Sequence, residues 1–170
     1  MNARLVLAFF ALTTATALTF TSCAGEDQMG SPAHRMAVWV GGTNFGEDIG
    51  TLVADNARIA KVVPNGSGAV HAACATLVTD AEMANTELPS PDPDVTALLT
   101  KAYGLEGTAG NQCYDAGATN RQLLKESARN AVRAEALYQE AFQRIRAIDG
   151  KVPVTTTTAG NSGTSGGIFG

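Results

Sequence analysis

Eight positions near the C-terminus, Leu124, Ser127, Ala131, Ala134, Tyr138, Ala141, Ile145 and Ile148, follow one another at spacings that alternate between three and four. Only an α-helix brings such positions to one face, and the alternation keeps that face against a neighbour lying nearly parallel or antiparallel to it. Thr119 and, three residues on, Gln122 form a capping box, and Gly150 supplies a stop, so a helix is expected over 119–149. At about 1.5 Å per residue it is roughly 45 Å long, enough to run the length of a small bundle.

Three further helices are expected upstream. The first covers about 48–63, with Ile49, Leu52, Val53, Ile59, Ala60 and Val63 on one face and Pro64-Asn65-Gly66 ending it. Asn56 interrupts that face, and a place at its edge is favoured over a buried hydrogen-bonding role. The second covers about 68–88, starts after Ser67 as N-cap, and repeats Val70, Cys74, Leu77, Ala81, Ala84 and Leu88 at spacings of four and three. Pro89-Ser90-Pro91-Asp92-Pro93 forces a turn, in which Asp92 caps the third helix and Pro93 takes its first position. That helix, about 93–115, carries Val95, Leu98, Leu99, Ala102, Leu105 and Ala109. Gly104, Gly107 and Gly110 interrupt it at spacing three, each at about 1 kcal/mol relative to Ala, which implies either a close-packed neighbour or a kink. A phosphate-cradling loop would need a preceding strand and a lysine that the chain does not supply there. The fold class is therefore all-α, an antiparallel bundle of about four helices.

Aromatic residues are scarce, with one Trp, three Tyr and six Phe in 170 residues, so the core is built largely from small aliphatic side chains that bury little area each. Such a core gains from a covalent link. The tight proline turn makes the second and third helices antiparallel neighbours, and it lies about fourteen residues after Cys74 and nineteen before Cys113. The mismatch along the axis is about 7 Å, within reach of a modest tilt, so a disulfide is expected there in preference to a redox or metal site.

The N-terminus reads differently. Arg4 is the only charge before Glu26, and the sixteen residues from Leu5 to Phe20 are Leu, Val, Ala, Phe and Thr. This is a basic region followed by an apolar one too short to span a hydrocarbon core of about 30 Å. It ends in Phe20-Thr21-Ser22-Cys23, which resembles the lipobox of bacterial lipoproteins, with Phe20 standing where the family has an aliphatic residue. The resemblance implies a signal peptide over 1–22 and a thioether-linked diacylglycerol on Cys23. Often an acyl chain on the freed amino group joins it, and two or more chains hold a protein stably in a membrane. Plain secretion, with cleavage near Ala17 or Ala24, is the alternative. Lipidation of Cys23 would leave Cys74 and Cys113 as an even pair, outside the cytoplasm, where disulfides persist.

Between the anchor and the bundle, residues 23–46 are Gly-rich and polar and are expected to act as a tether. The apolar island Met36-Ala37-Val38-Trp39-Val40 is either a short strand or, by preference, a segment that docks Trp39 on the bundle. The bundle domain then spans 47–150, and the Thr-, Gly- and Ser-rich segment 151–170 is expected to be a disordered tail.

The chain has 12 basic and 16 acidic residues, and removal of residues 1–22 takes Arg4 away, which leaves no general attraction to nucleic acid. Residues 23–118 hold four basic and twelve acidic residues, whereas 119–149 hold six basic and four acidic. Among the latter, Arg121, Lys125, Arg129 and Arg133 repeat every fourth residue on the side of the helix opposite its apolar seam. This stripe is either an anion-facing surface for an envelope component or protein partner, or a solvated face with local pairs such as Glu126 with Arg129 and Glu140 with Arg144. The latter is favoured. No serine lies in a nucleophile elbow, and neither His34 nor His71 has a Glu or His partner at the spacing that bundle metal sites use. A non-enzymatic lipoprotein without metal or cofactor is expected, anchored on the extracytoplasmic face of the cell membrane as an interaction or structural module. One that binds a small apolar or lipidic ligand within the bundle is the alternative.

Overall fold

A computed structural model describes residues 30–150, and Cys23, the segment read as a signal peptide and the Thr-rich tail lie outside the described residues. Five α-helices follow in order: α1 (Pro32–Gly42), α2 (Phe45–Val62), α3 (Ser67–Asn85), α4 (Pro93–Ala116) and α5 (Arg121–Ile148), with a 3₁₀ turn at Val63–Asn65. No strand occurs among the described residues, and the fold is all-α. α3 packs on α2 and α4, and α4 packs most extensively on α5, so α2 to α5 form an up-and-down bundle.

The first helix corrects the tether expectation. Ser31 caps α1 by accepting from the His34 N–H, and Pro32 holds its first position. Met36 is buried, and Trp39 docks as preferred over the strand: its indole N–H donates to the Glu87 carbonyl at 3.2 Å, and its ring lies 5.1 Å from that of Phe45. Met36 and Trp39, three residues apart and so on one face, anchor an eleven-residue helix that would be too short to persist alone.

Two helix starts differ from expectation. Ser67 is the first residue of α3, because Gly66, at φ 93°, occupies the cap position, and the Ser67 hydroxyl instead accepts from the Ala118 N–H at 3.0 Å. α5 is capped by Asn120, which accepts from the Leu123 N–H at 3.1 Å, while Gln122 turns away from a capping box to donate to Glu126 at 2.7 Å. Asp92 caps α4 as expected, with Pro93 next, and Arg144 from α5 donates to it at 3.0 Å and reaches Asp94 at 3.1 Å. The local pair of Arg144 with Glu140 is therefore replaced by a contact between helices.

Cys74 and Cys113 form a disulfide between α3 and α4, with their Cα atoms 5.8 Å apart. Beside it, α4 runs through its three glycines as one continuous helix. A Cβ built on Gly110 would meet a Val78 methyl at 2.6 Å and the Cys74 carbonyl oxygen at 3.1 Å, whereas Gly104 and Gly107 face open space. Close approach therefore accounts for Gly110 alone. Gly117, at φ 52°, ends α4 by donating to the Cys113 and Tyr114 carbonyls.

Two outcomes follow. Gly110→Ala lowers stability by about 1 to 3 kcal/mol through overpacking against α3, while Gly104→Ala and Gly107→Ala each raise it by up to about 1 kcal/mol, as read by urea unfolding. Reduction of the disulfide, which closes a separation of 39 residues, lowers stability by about 4 kcal/mol on the chain-entropy account, visible as a fall in Tm of about 10 °C or more.

Candidate functional site

The bundle is closed on three sides and incompletely on the fourth. α2 and α5 are brought together by the topology, yet they touch each other little. At one end the gap between them is filled by aromatic rings, with Phe45 5.1 Å from Trp39 and 5.2 Å from Phe142. At the other, towards the C-terminus of α2 and the N-terminus of α5, nothing comparable fills it. Ala57, Ala60, Ala128 and Ala131 leave the space between the helices underfilled there, and a cleft of about 580 Å³ remains.

Its walls are aliphatic. Val53 on α2 and Val132 on α5 stand at the mouth, 45% and 64% exposed, and Ile59 and Leu124 lie deeper. Ser127 also lines the cleft, but its hydroxyl is committed to the Ala109 carbonyl at 2.8 Å. Lys61 and Glu135 contribute charge from opposite walls. The floor is Glu106 of α4, which is only 1% exposed.

A buried carboxyl in an aliphatic cleft is costly unless it is hydrogen-bonded or protonated. Asn56 of α2 meets part of that cost, donating to Glu106 Oε2 at 2.9 Å and to the Leu52 carbonyl at 3.0 Å. This corrects the expectation for Asn56, which is a half-buried partner across the helix interface and not an edge residue. Burial pushes Glu106 up to about 7, opposed by the Asn56 hydrogen bond and assisted by the charges of Glu135 and Asp55. From α5, Tyr138 is buried with its hydroxyl unpartnered among the described residues. Burial, followed by the nearby Glu106 and Tyr103, raises its pKa.

A second set of carboxyls lies where α2 meets α3. Asp55 is held up by its own burial and by the adjacent Asp80, with Arg58, 3.3 Å away, acting in the opposite sense. Asp48 is raised by burial and by Glu87. Among the described residues no group of three His, Cys, Asp or Glu side chains is arranged to hold a metal ion. His71, half-buried, stacks on Tyr114 with ring centroids 4.6 Å apart.

The residues singled out in the sequence are not brought together here. Cys74 and Cys113 lie in the α3–α4 interface, away from the cleft. Arg121, Lys125, Arg129 and Arg133 are all exposed, with Arg133 donating to Asn130 at 3.4 Å, and Glu126 accepts from Gln122 instead of pairing with Arg129. Lys125 precedes Ala128 by three residues and Arg129 precedes Val132 by three, so the stripe runs beside the mouth of the cleft. Glu106 is not among the residues that motifs in the sequence single out, although it falls within the buried repeat of its helix. Val95, Leu99, Ala102, Glu106, Ala109 and Cys113 keep alternating spacings of four and three, and all are buried.

The raised carboxyls give stability a definite pH dependence. A group whose folded pKa exceeds its unfolded value takes up protons on folding, so its contribution is full below the unfolded value and lost as pH climbs through the folded one. For Glu106 the window runs from 4.5 to about 7. Asp92 acts oppositely at lower pH: burial alone would raise it, but the Arg144 guanidinium and the Val95 N–H bring it below its ordinary value of 3.8. Tm is accordingly higher at pH 5 than at pH 8, and Glu106→Gln, which keeps shape but cannot ionise, removes a share on the order of 3 kcal/mol of that difference. Equal slopes for the two chains across this range would contradict the assignment.

No protein-family model matches the chain, and no characterised protein or solved structure is similar to it, so the geometry of the α2–α5 cleft is what any functional reading has to start from.

Proposed function

We propose that this chain is a non-enzymatic lipoprotein, anchored through Cys23 on the extracytoplasmic face of the membrane, whose α2–α5 cleft holds a small and largely apolar ligand. The observation that carries the reading is the cleft itself, whose volume of about 580 Å³ falls within the range of small-molecule sites. Aliphatic walls with one buried polar group are the usual composition of such sites, in which apolar contact supplies affinity and a few polar atoms fix orientation. The Cys74–Cys113 disulfide agrees with an oxidising compartment, and the Phe20-Thr21-Ser22-Cys23 resemblance agrees with an anchor. Between the two roles weighed on sequence, the cleft favours ligand binding over a purely structural one.

One experiment addresses anchor and ligand together. Native mass spectrometry of the chain purified from membranes is expected to show an N-terminus at Cys23 carrying diacylglycerol, and a non-covalent adduct that Ala128→Trp, which fills the cleft, eliminates. A chain beginning at Ala24, or upstream of Cys23 without lipid, removes the anchor. An adduct retained by Ala128→Trp removes the cleft as the site.

A further inference from the structure

The aliphatic walls of the cleft do not distinguish one apolar body from another, and the two wall charges, Lys61 and Glu135, are exposed and opposite in sign, so chemical preference resides in the floor. Glu106 is 1% exposed and lines the cleft, and its partner in the protein is a neutral donor, the Asn56 amide, at 2.9 Å. A carboxylate has about four lone-pair sites, of which this hydrogen bond fills one. No Lys, Arg or His forms an ion pair with Glu106 among the described residues, although Lys61 lines the same cleft. The charges that bear on it are negative, Asp55 from α2 and Glu135 from α5.

We propose that the α2–α5 cleft selects ligands that join an alkyl or aryl body to a cationic nitrogen, with the nitrogen seated against the Glu106 carboxylate. This rests on the cleft being a ligand site, as proposed above. A protonated amine there supplies the charge-assisted hydrogen bonds that the protein leaves unmade, and it does so in surroundings of low polarity, where they are strongest. An anionic amphiphile would instead bring its charge towards Glu106, Glu135 and Asp55. The basic stripe does not reverse this preference, because Arg121, Lys125, Arg129 and Arg133 are exposed to solvent, where salt screens charge over about 10 Å.

The preference has a pH signature. An alkylamine stays protonated well above pH 8, as the lysine amine does, while Glu106 titrates near 7. Between pH 6 and pH 8 the ionised fraction of Glu106 rises about tenfold, and affinity for a cationic ligand rises with it.

The test is isothermal titration calorimetry on the full chain bearing Cys23→Ser, with octylamine, 1-octanol and octanoate as monomeric probes of equal chain length. Octylamine is expected to bind at least about tenfold more tightly than 1-octanol at pH 8, to weaken about tenfold at pH 6, and to bind more tightly than octanoate at both. Glu106→Gln is expected to abolish the octylamine preference over 1-octanol and its pH dependence. Equal affinities for octylamine and 1-octanol with a flat pH profile, measured on the chain with Glu106 intact, overturn the cation preference and leave the ligand site standing. Octylamine binding that survives Ala128→Trp lies elsewhere and also overturns it. Failure of all three probes to bind removes the ligand site and the preference together.

Discussion

The contact between α3 and α4 is the constraint on which the other helices depend. Gly110 lets the two backbones approach until only a hydrogen fits against Val78 and the Cys74 carbonyl, and the Cys74–Cys113 disulfide holds them at that separation. The neighbours follow the same rule of small side chains: Ala102 and Ala109 on α4, with Ala134 and Ala141 on α5, are fully buried, so those helices also lie close. A bundle packed tightly on three sides by alanine and glycine has little side-chain volume left with which to close the fourth. α2 brings Ile49, Leu52 and Ile59 to the core, yet Ala57 and Ala60 on α2 and Ala128 and Ala131 on α5 leave the two helices underfilled, and the gap persists except where Phe45, Phe142 and Trp39 fill it.

Apolar periodicity carried the helical fold into view. The seam from Leu124 to Ile148 and that from Val70 to Leu88 both turn inward, because alternating spacings leave a helix only one face to bury. α1 escaped this reading. Its eleven residues contain four glycine or alanine positions and only Met36 fully buried, so its stability comes from a long-range contact, Trp39 with Glu87 and Phe45, which local pattern cannot register. The cleft was hidden for a related reason. Volume between helices depends on how far apart they sit and on which side chains meet across the gap, and neither is recorded in the repeat of any single helix. Asn56 and Glu106 were legible in principle, because each falls in the repeat of its own helix, but a polar residue in a seam reads as an interruption until its partner on another helix is known.

The polar interior also shapes the conditions under which the fold is most secure. Glu106, Asp55 and Asp48 all favour the protonated state, and all face α2 or lie on it, whereas Asp92 favours the ionised state at the junction of α4 and α5. α2 is therefore the helix whose docking weakens as pH rises towards and through neutrality, and the α4–α5 junction responds only to acid. The disulfide lies outside both responses, so titration loosens the bundle from one side while α3 and α4 stay joined.

The same division has a mechanical side. The floor of the cleft belongs to α4, which is clamped by a covalent link to α3 and by its long interface with α5, whereas the α2 wall is held to α5 chiefly by aromatic rings at the far end. The walls that give the cleft its shape and the carboxyl at its floor therefore belong to different helices, the walls to α2 and α5 and the floor to α4, so substitutions can reshape the one without moving the other.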